Sequence, residues 1–210
     1  MVSLFAQPLD LKVSTGAARP GLIDVRIAET PEDRDAIFRL RFELLDGRPP
    51  VNSPMIATNG RMVDPEDAGS ILLGAFDRNG RAIASIRLRA LDDEITSRRL
   101  PSVIAGFGRR MSASGERSST SSDLMLGPAA DRHVQVRLVA AMFEAARVRA
   151  WRYDVCLVRP EEIAVRRRLG YQEFGVQVAD GDLADDDLTL MSLTYPAPPE
   201  TPSRRWFRRS

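Results

Sequence analysis

The chain has 210 residues, 43% of them hydrophobic and 28% charged, which suits a single globular domain with one buried core. A formal charge of +1 provides no global field for nucleic acid or an anionic membrane, and dispersed arginines with few aromatics argue against a nucleic-acid partner. The only cysteine, Cys156, and the only histidine, His133, exclude an internal disulfide, a cysteine-rich metal site and a histidine cluster; no metal and a reducing compartment are expected.

Residues 1–21, ending in STGAARPG, read as a flexible arm. The arm lacks a basic start and a sustained apolar run, and no later segment reaches the roughly 18 apolar residues of a membrane span, so a cytoplasmic location is expected. Residues 22–195 read as one domain. LIDVRIA alternates like a strand, and TPEDRDAIFRLRFELL opens a helix with Thr30 as cap, Pro31 at the first position and two acids after it. Ile37, Leu40 and Leu44 recur at helical spacing and are assigned to the core. Asp46 to Asn59, rich in Pro, Gly and Asn, reads as loop. SILLGAFDRNGRAIASIRLRAL is a hairpin turning at Asp77 to Gly80.

Asp92 to Gly115 is softer, with a short helix and a polar tip. STSSDLML is the next strand, and Asp131 to about Arg149 a largely buried helix. YDVCLV is a compact buried strand with Cys156 as a small apolar filler. PEEIAVRRRLG is a helix begun by Pro160 and stopped by Gly170, and YQEFGVQV and DDDLTLMSLTY are the last strands. Residues 196–210 read as a disordered basic tail, either a loose end or a weak membrane-surface contact through Trp206 and Phe207. The early hairpin calls for antiparallel neighbours and the late alternation for parallel ones, so a mixed sheet with helices on both faces is predicted.

The order of elements resembles the GCN5-related N-acetyltransferase (GNAT) superfamily. More narrowly it resembles the branch of acyl-homoserine-lactone (autoinducer) synthases and long-chain N-acyl amino acid synthases. The resemblance rests on LRFELL with Arg41, DPED with Asp64 and Asp67, IRL with Arg87, SSDLMLGPAADRH with Ser122 and Arg132, and RRRLGYQEFG, and covers roughly Asp24 to Tyr195. It implies an α/β fold with a mostly antiparallel central sheet, a splayed parallel pair and helices on both faces. It also implies an acyltransferase moving a medium or long fatty acyl group from acyl carrier protein or acyl-CoA to the amino group of an amino acid or related amine. No permanently bound cofactor is implied, the thioester being a co-substrate. Two other readings stay open: a binding domain with a decayed site that senses acyl-pantetheine or a partner, and an acetyl-CoA-dependent small-molecule acetyltransferase.

By this resemblance Leu124, Met125 and Leu126 line the acyl-pantetheine slot, while Arg132, His133 and Arg137 at the following helix face phosphate. Members that use coenzyme A place glycines where this chain has His133, Gln135 and Arg137, which favours a carrier-protein donor with its single phosphodiester. Arg41, Asp64, Asp67 and Arg87 form an ion-pair network for the acceptor. The autoinducer branch carries Glu-x-Ser-Arg where this chain has Thr120, Ser121, Ser122 and Asp123, and other members carry a tyrosine where it has Arg166. Ser122, Asp123, Glu116 and Arg166 are therefore the catalytic candidates, Arg166 as an electrostatic stabiliser because it does not deprotonate.

Each residue also has a structural reading. Asp64 and Asp67 can punctuate a loop, Arg87 can be solvated at a strand end, His133 can sit on the surface, and Ser122 can be structural. Arg166 to Arg168 read as a solvated face that would also attract an acidic carrier protein.

Overall fold

The computed structural model describes residues 23–50, 53–91, 101–178 and 188–196. The arm, all of the tail beyond Pro196 and residues 92–100 lie outside the described residues.

Strand β1 (Asp24–Ile27) leads into helix α1 (Pro31–Leu44). Thr30 Oγ accepts the Asp33 N–H at 3.1 Å, and Arg26 pairs with Asp33 at 2.7 Å, so the entry is capped and charged as its sequence predicts. Ile37 and Leu40 are buried, but Leu44, at the C-terminal end of α1, is exposed. The stretch read as loop contains a strand: β2 (Ile56–Thr58) pairs with β3 (Arg61–Val63) across Asn59 and Gly60, whose φ angles are 49° and 72°. Positive φ at both turn residues is the two-residue hairpin geometry that Asn-Gly favours. A 3₁₀ turn (Pro65–Gly69) follows.

The hairpin of β4 (Ile71–Phe76) and β5 (Ala82–Ala90) forms where predicted, with Asp77 Oδ1 accepting the N–H groups of Asn79 and Arg81 at 2.8 and 3.0 Å and Gly80 at φ 76°. Then come α2 (Ser102–Ala113), β6 (Arg117–Leu126), α3 (Arg132–Val148), β7 (Trp151–Val158), α4 (Pro160–Arg168), β8 (Gln172–Val178) and β9 (Leu188–Thr194).

Seven strands form one sheet in the order β1-β4-β5-β6-β7-β9-β8. Its neighbours are antiparallel except β6 and β7, which are parallel. The main apolar cluster joins Leu73, Ile86 and Leu88 of the sheet to Val134, Leu138 and Met142 of α3, with Ile163 and Val165 of α4 packed on it. On the other face Leu72 and Phe76 meet Ile37 and Leu40 of α1, while Val155 and Leu190 meet Ile104 and Phe107 of α2. The fold is thus the predicted one: a mostly antiparallel sheet, one parallel pair, and helices on both faces.

Two irregularities meet on β6. Its ladder with β7 runs from Arg117↔Trp151 to Thr120↔Val155 and goes no further, although β7 continues to pair with β9 as far as Val158. Its ladder with β5 continues to Leu126, with a bulge: Arg87 faces Ser122 and Ser85 faces Met125, leaving Asp123 and Leu124 opposite Ile86 alone. Asp123 takes φ 51° to accommodate the extra residue.

Candidate active site at the parting of two strands

On the α1 side of β6, arginines from two elements meet acids from two others. Asp67 receives Arg41 Nη1 at 2.7 Å and Nη2 at 3.1 Å, a two-pronged contact in which Arg41 is completely buried. Asp64 caps the 3₁₀ turn, its Oδ1 accepting the Glu66 N–H at 2.8 Å, while its Oδ2 pairs with Arg87 Nη1 at 2.7 Å. Both acids therefore punctuate a loop and hold arginines at once. Arg87 Nη2 reaches Asp123 at 2.9 Å and its Nε donates to Ser122 Oγ at 2.9 Å. Arg41 Nη2 lies 3.7 Å from the same Asp123 carboxylate.

The Asp123 side chain keeps 15% of its surface exposed, whereas those of Asp64 and Asp67 keep 2% and 3%. Burial pushes its carboxyl up; Arg87 and Arg41 pull it back, Asp64 and Asp67 push it further, and the result is a pKa above the ordinary carboxylate value. Arg87 loses solvation, but Asp123, Asp64 and Asp67 more than restore its charge, and its pKa is raised.

On the opposite face of β6 lies a second buried network. Asp154 of β7 receives Ser119 Oγ and Ser121 Oγ at 2.6 Å each and Tyr171 OH at 2.5 Å. Tyr195 OH lies 3.4 Å from Ser119 Oγ. Arg166 crosses from α4 to donate from Nη1 to Ser121 Oγ at 3.1 Å, its guanidinium 5.1 Å from the Tyr171 ring centre. Burial pushes Asp154 up against the three hydroxyls and Arg166, which pull it down. The Tyr171 hydroxyl, buried beside Asp154, is pushed well above its ordinary pKa.

The predicted residues separate accordingly. Arg41, Asp64, Asp67, Arg87, Ser122 and Asp123 come together as one network. Glu116 does not join it: it is exposed just before β6, seven residues from Asp123, roughly 20 Å along an extended strand. Leu124 and Leu126 pack on the α3 side and Met125 on the α1 side, because a strand alternates its faces. Arg132 and His133 are exposed in the first turn of α3. Asp131 caps that turn by accepting the Val134 N–H at 2.9 Å, so a carboxylate already stands at the positive helix end. Arg137 turns away from the helix start, donating to the Ile23 carbonyl. Of the arginine run only Arg167 and Arg168 form a solvated face; Arg166 is 2% exposed. Cys156 is a buried filler as expected, its thiol pushed up to about 12 by burial.

Asp154 and Tyr171 were not among the predicted site residues. An aspartate inside the otherwise apolar run YDVCLV was the available signal, since a carboxylate survives there only with dedicated donors. A separate open groove of about 590 Å³ lies between α1 and the β2–β3 hairpin, lined by Glu32, Asp35, Phe38 and Arg61 among others, with no residue from β6 or β7.

No family model matches the chain, and no curated protein sequence matches it. Solved structures do. FeeM, an N-acyl amino acid synthase from uncultured soil microbes, is 16% identical with a TM-score of 0.60, over 84% of this chain and 92% of that one. The AHL synthase LasI is 12% identical with a TM-score of 0.58, over 84% and 91%. BjaI, a CoA-dependent acyl-homoserine lactone synthase, is 13% identical with a TM-score of 0.57, over 84% of each chain. At such identities the likeness is one of fold, and the fold is the one the sequence resemblance implied.

Proposed function

We propose that the protein is an N-acyltransferase that moves a medium or long fatty acyl group from a pantetheine thioester to the amino group of an amino acid or related amine. The observation that carries this reading is the geometry of β6, which leaves β7 at Ser121 and bulges at Asp123 two residues later. A thioester laid in that gap meets backbone groups that no neighbouring strand uses, and a carboxylate sits beside it. Unused amides polarise the thioester carbonyl and stabilise the developing oxyanion. The fold shared with an N-acyl amino acid synthase and two acyl-homoserine lactone synthases supports the same reaction class.

In the reaction the amine nitrogen attacks the carbonyl carbon, the C–N bond forms, and the C–S bond breaks with its electron pair leaving on sulfur. The amine proton goes to Asp123, the acid that the bulge of β6 places beside the gap, its side chain 15% exposed and its pKa raised above the ordinary carboxylate value, which makes it a stronger base. Ser122 is a positioning residue, its hydroxyl held by Arg87 Nε. Arg41, Asp64 and Asp67 fix Arg87, which fixes Asp123.

For the donor we favour acyl carrier protein over acyl-CoA. Asp131 at the start of α3 disfavours a doubly charged diphosphate, while exposed Arg132 and His133 suit one phosphodiester. The test is mass spectrometry of amides formed from decanoyl carrier protein or decanoyl-CoA with a mixture of amino acids. Amide formed faster from the carrier protein supports both parts. A preference for CoA overturns the donor assignment alone, and no amide from either donor overturns the reaction.

A further inference from the structure

An overall charge of +1 conceals an uneven distribution. The gap between β6 and β7 opens toward one end of the sheet; the other end gathers the starts of β6 and β7, the end of β9 and the C-termini of α2 and α3. Arg117 stands opposite Trp151 and Tyr153 opposite Thr194, so these elements finish side by side. This end carries Arg109 and Arg110 of α2, Arg117 of β6, Arg147 of α3, Arg149 after it and Arg152 of β7, all exposed except the half-buried Arg152. The acids that the described residues of these segments expose are Glu116 and Glu144, and Glu144 is paired with Arg147.

The cluster is held together from within. Arg117 Nη1 donates to the Arg149 carbonyl and Arg152 Nη1 to the Tyr195 carbonyl, each at 2.9 Å, and the Arg149 guanidinium lies 5.7 Å from the Trp151 ring centre. Helix C-termini favour basic residues, which accounts for Arg110 and Arg147. That preference does not account for Val148, which stands between Arg147 and Arg149 with 67% of its surface exposed, more than any other large hydrophobic side chain among the described residues. Pro196, the last described residue, follows directly on Tyr195, and the sequence beyond it continues the pattern: four arginines flank Trp206 and Phe207, with Glu200 the only acid.

We propose that this end of the molecule is a docking face for the surface of an anionic phospholipid membrane, the arginines meeting lipid phosphate while Val148, Trp206 and Phe207 enter the headgroup layer. Basic charge and a small apolar contact each bind such a surface weakly, and the two together hold. An acidic carrier protein is the other partner a basic face attracts, but neither the exposed valine nor the location suits it. Helix α3 is 17 residues long, which puts Val148 about 24 Å from Arg132, where the donor phosphate is assigned. The membrane then holds one end of the protein and leaves the gap at the other end open to the donor.

The test is co-sedimentation of the full chain with phosphatidylcholine vesicles made with and without phosphatidylglycerol, at low and high salt. Wild type should bind only the vesicles that contain phosphatidylglycerol and come off as salt screens the surface charge. Arg109→Gln combined with Arg149→Gln should weaken partitioning by about fivefold for each arginine removed. Val148→Ser, and Trp206→Ala with Phe207→Ala, should weaken it as well. Arg78→Gln, an exposed position in the β4–β5 turn at the gap end, removes the same charge and should change nothing. Absence of wild-type binding to anionic vesicles overturns the inference. So does an equal loss in Arg78→Gln and Arg149→Gln, which would make binding a matter of net charge, and so does a loss confined to the Trp206 and Phe207 variant, which would remove the folded face. Acyl carrier protein captured through Arg149 with no vesicle binding assigns the face to the carrier and overturns the inference too. Vesicle binding needs no turnover, so each outcome leaves the acyl-transfer reading where it stands.

Discussion

Ser121 and Ser122 are neighbours on β6, yet each receives a hydrogen bond from an arginine on a different face of the sheet: Arg166 Nη1 at 3.1 Å for the first and Arg87 Nε at 2.9 Å for the second. Strand alternation turns two adjacent hydroxyls into the anchors of two separate polar networks. The networks are therefore separable by mutation.

Replacing Asp123 by Asn tests the acceptor side. Loss of a positioned base lowers turnover by about 10²- to 10⁴-fold while leaving the KM for the donor unchanged. In the wild type the rate falls as pH drops through the raised pKa of Asp123, since protonation removes the base. That acid limb disappears in Asp123→Asn. Amide formation measured across pH checks both statements, and a variant with the wild-type rate and pH profile removes Asp123 from the reaction.

The same carboxylate leaves a mark on stability. With a folded pKa above its unfolded value, Asp123 keeps its proton in the native state after the unfolded chain has released it. Its contribution is present below the ordinary carboxylate pKa and is lost as pH rises through the raised one. Urea unfolding of wild type and Asp123→Asn across that window should show the wild type losing stability relative to the variant with rising pH. A difference that is constant or of opposite slope contradicts the shift.

Arg41→Met should destabilise by about 3–5 kcal/mol, because it leaves Asp67 buried without its two-pronged partner. The pair Arg41→Met with Asp67→Leu should recover much of this loss while abolishing turnover, since Arg87 loses one of its supports. Urea midpoints of the single and double variants decide, and a single variant within about 0.5 kcal/mol of wild type would show the pair to be dispensable.

Gly127 closes β6 so tightly that an added Cβ would stand 2.9 Å from the Ile83 carbonyl oxygen and 3.4 Å from Leu40 Cδ1. Gly127→Ala should therefore cost about 1–3 kcal/mol, through displacement of backbone rather than of a pliable side chain. Gly69→Ala, whose Cβ meets nothing within 4 Å, serves as the control and should stay within about 0.5 kcal/mol of wild type. Equal thermal midpoints for the two variants would refute the close contact.

Legibility in the sequence followed the range of the interactions involved. The α1 entry at Thr30 and Pro31 and the turn at Asp77 to Gly80 were readable because each is specified within about five residues. The β2–β3 hairpin carried an equally local signal in Asn59-Gly60, but its three-residue strands sit in a segment whose Pro and Asn content suggests loop. Arg166 was misread because three consecutive arginines resemble a wet helix face; its burial depends on Ser121, 45 residues away. Asp67 was read correctly as a partner of arginines through family likeness, not from its surroundings, since Arg41 stands 26 residues before it.

The bulge and the early end of the β7 ladder also limit how this strand can change over evolutionary time. Side chains on β6 repeat every two residues, so inserting or deleting one residue before Ser121 would present the wrong serine to each arginine and turn Leu124 and Leu126 away from α3. No length change there has a small effect. Descendants of this chain can alter β6 one substitution at a time, but additions to its length have to fall in the turns on either side, where nothing counts odd from even.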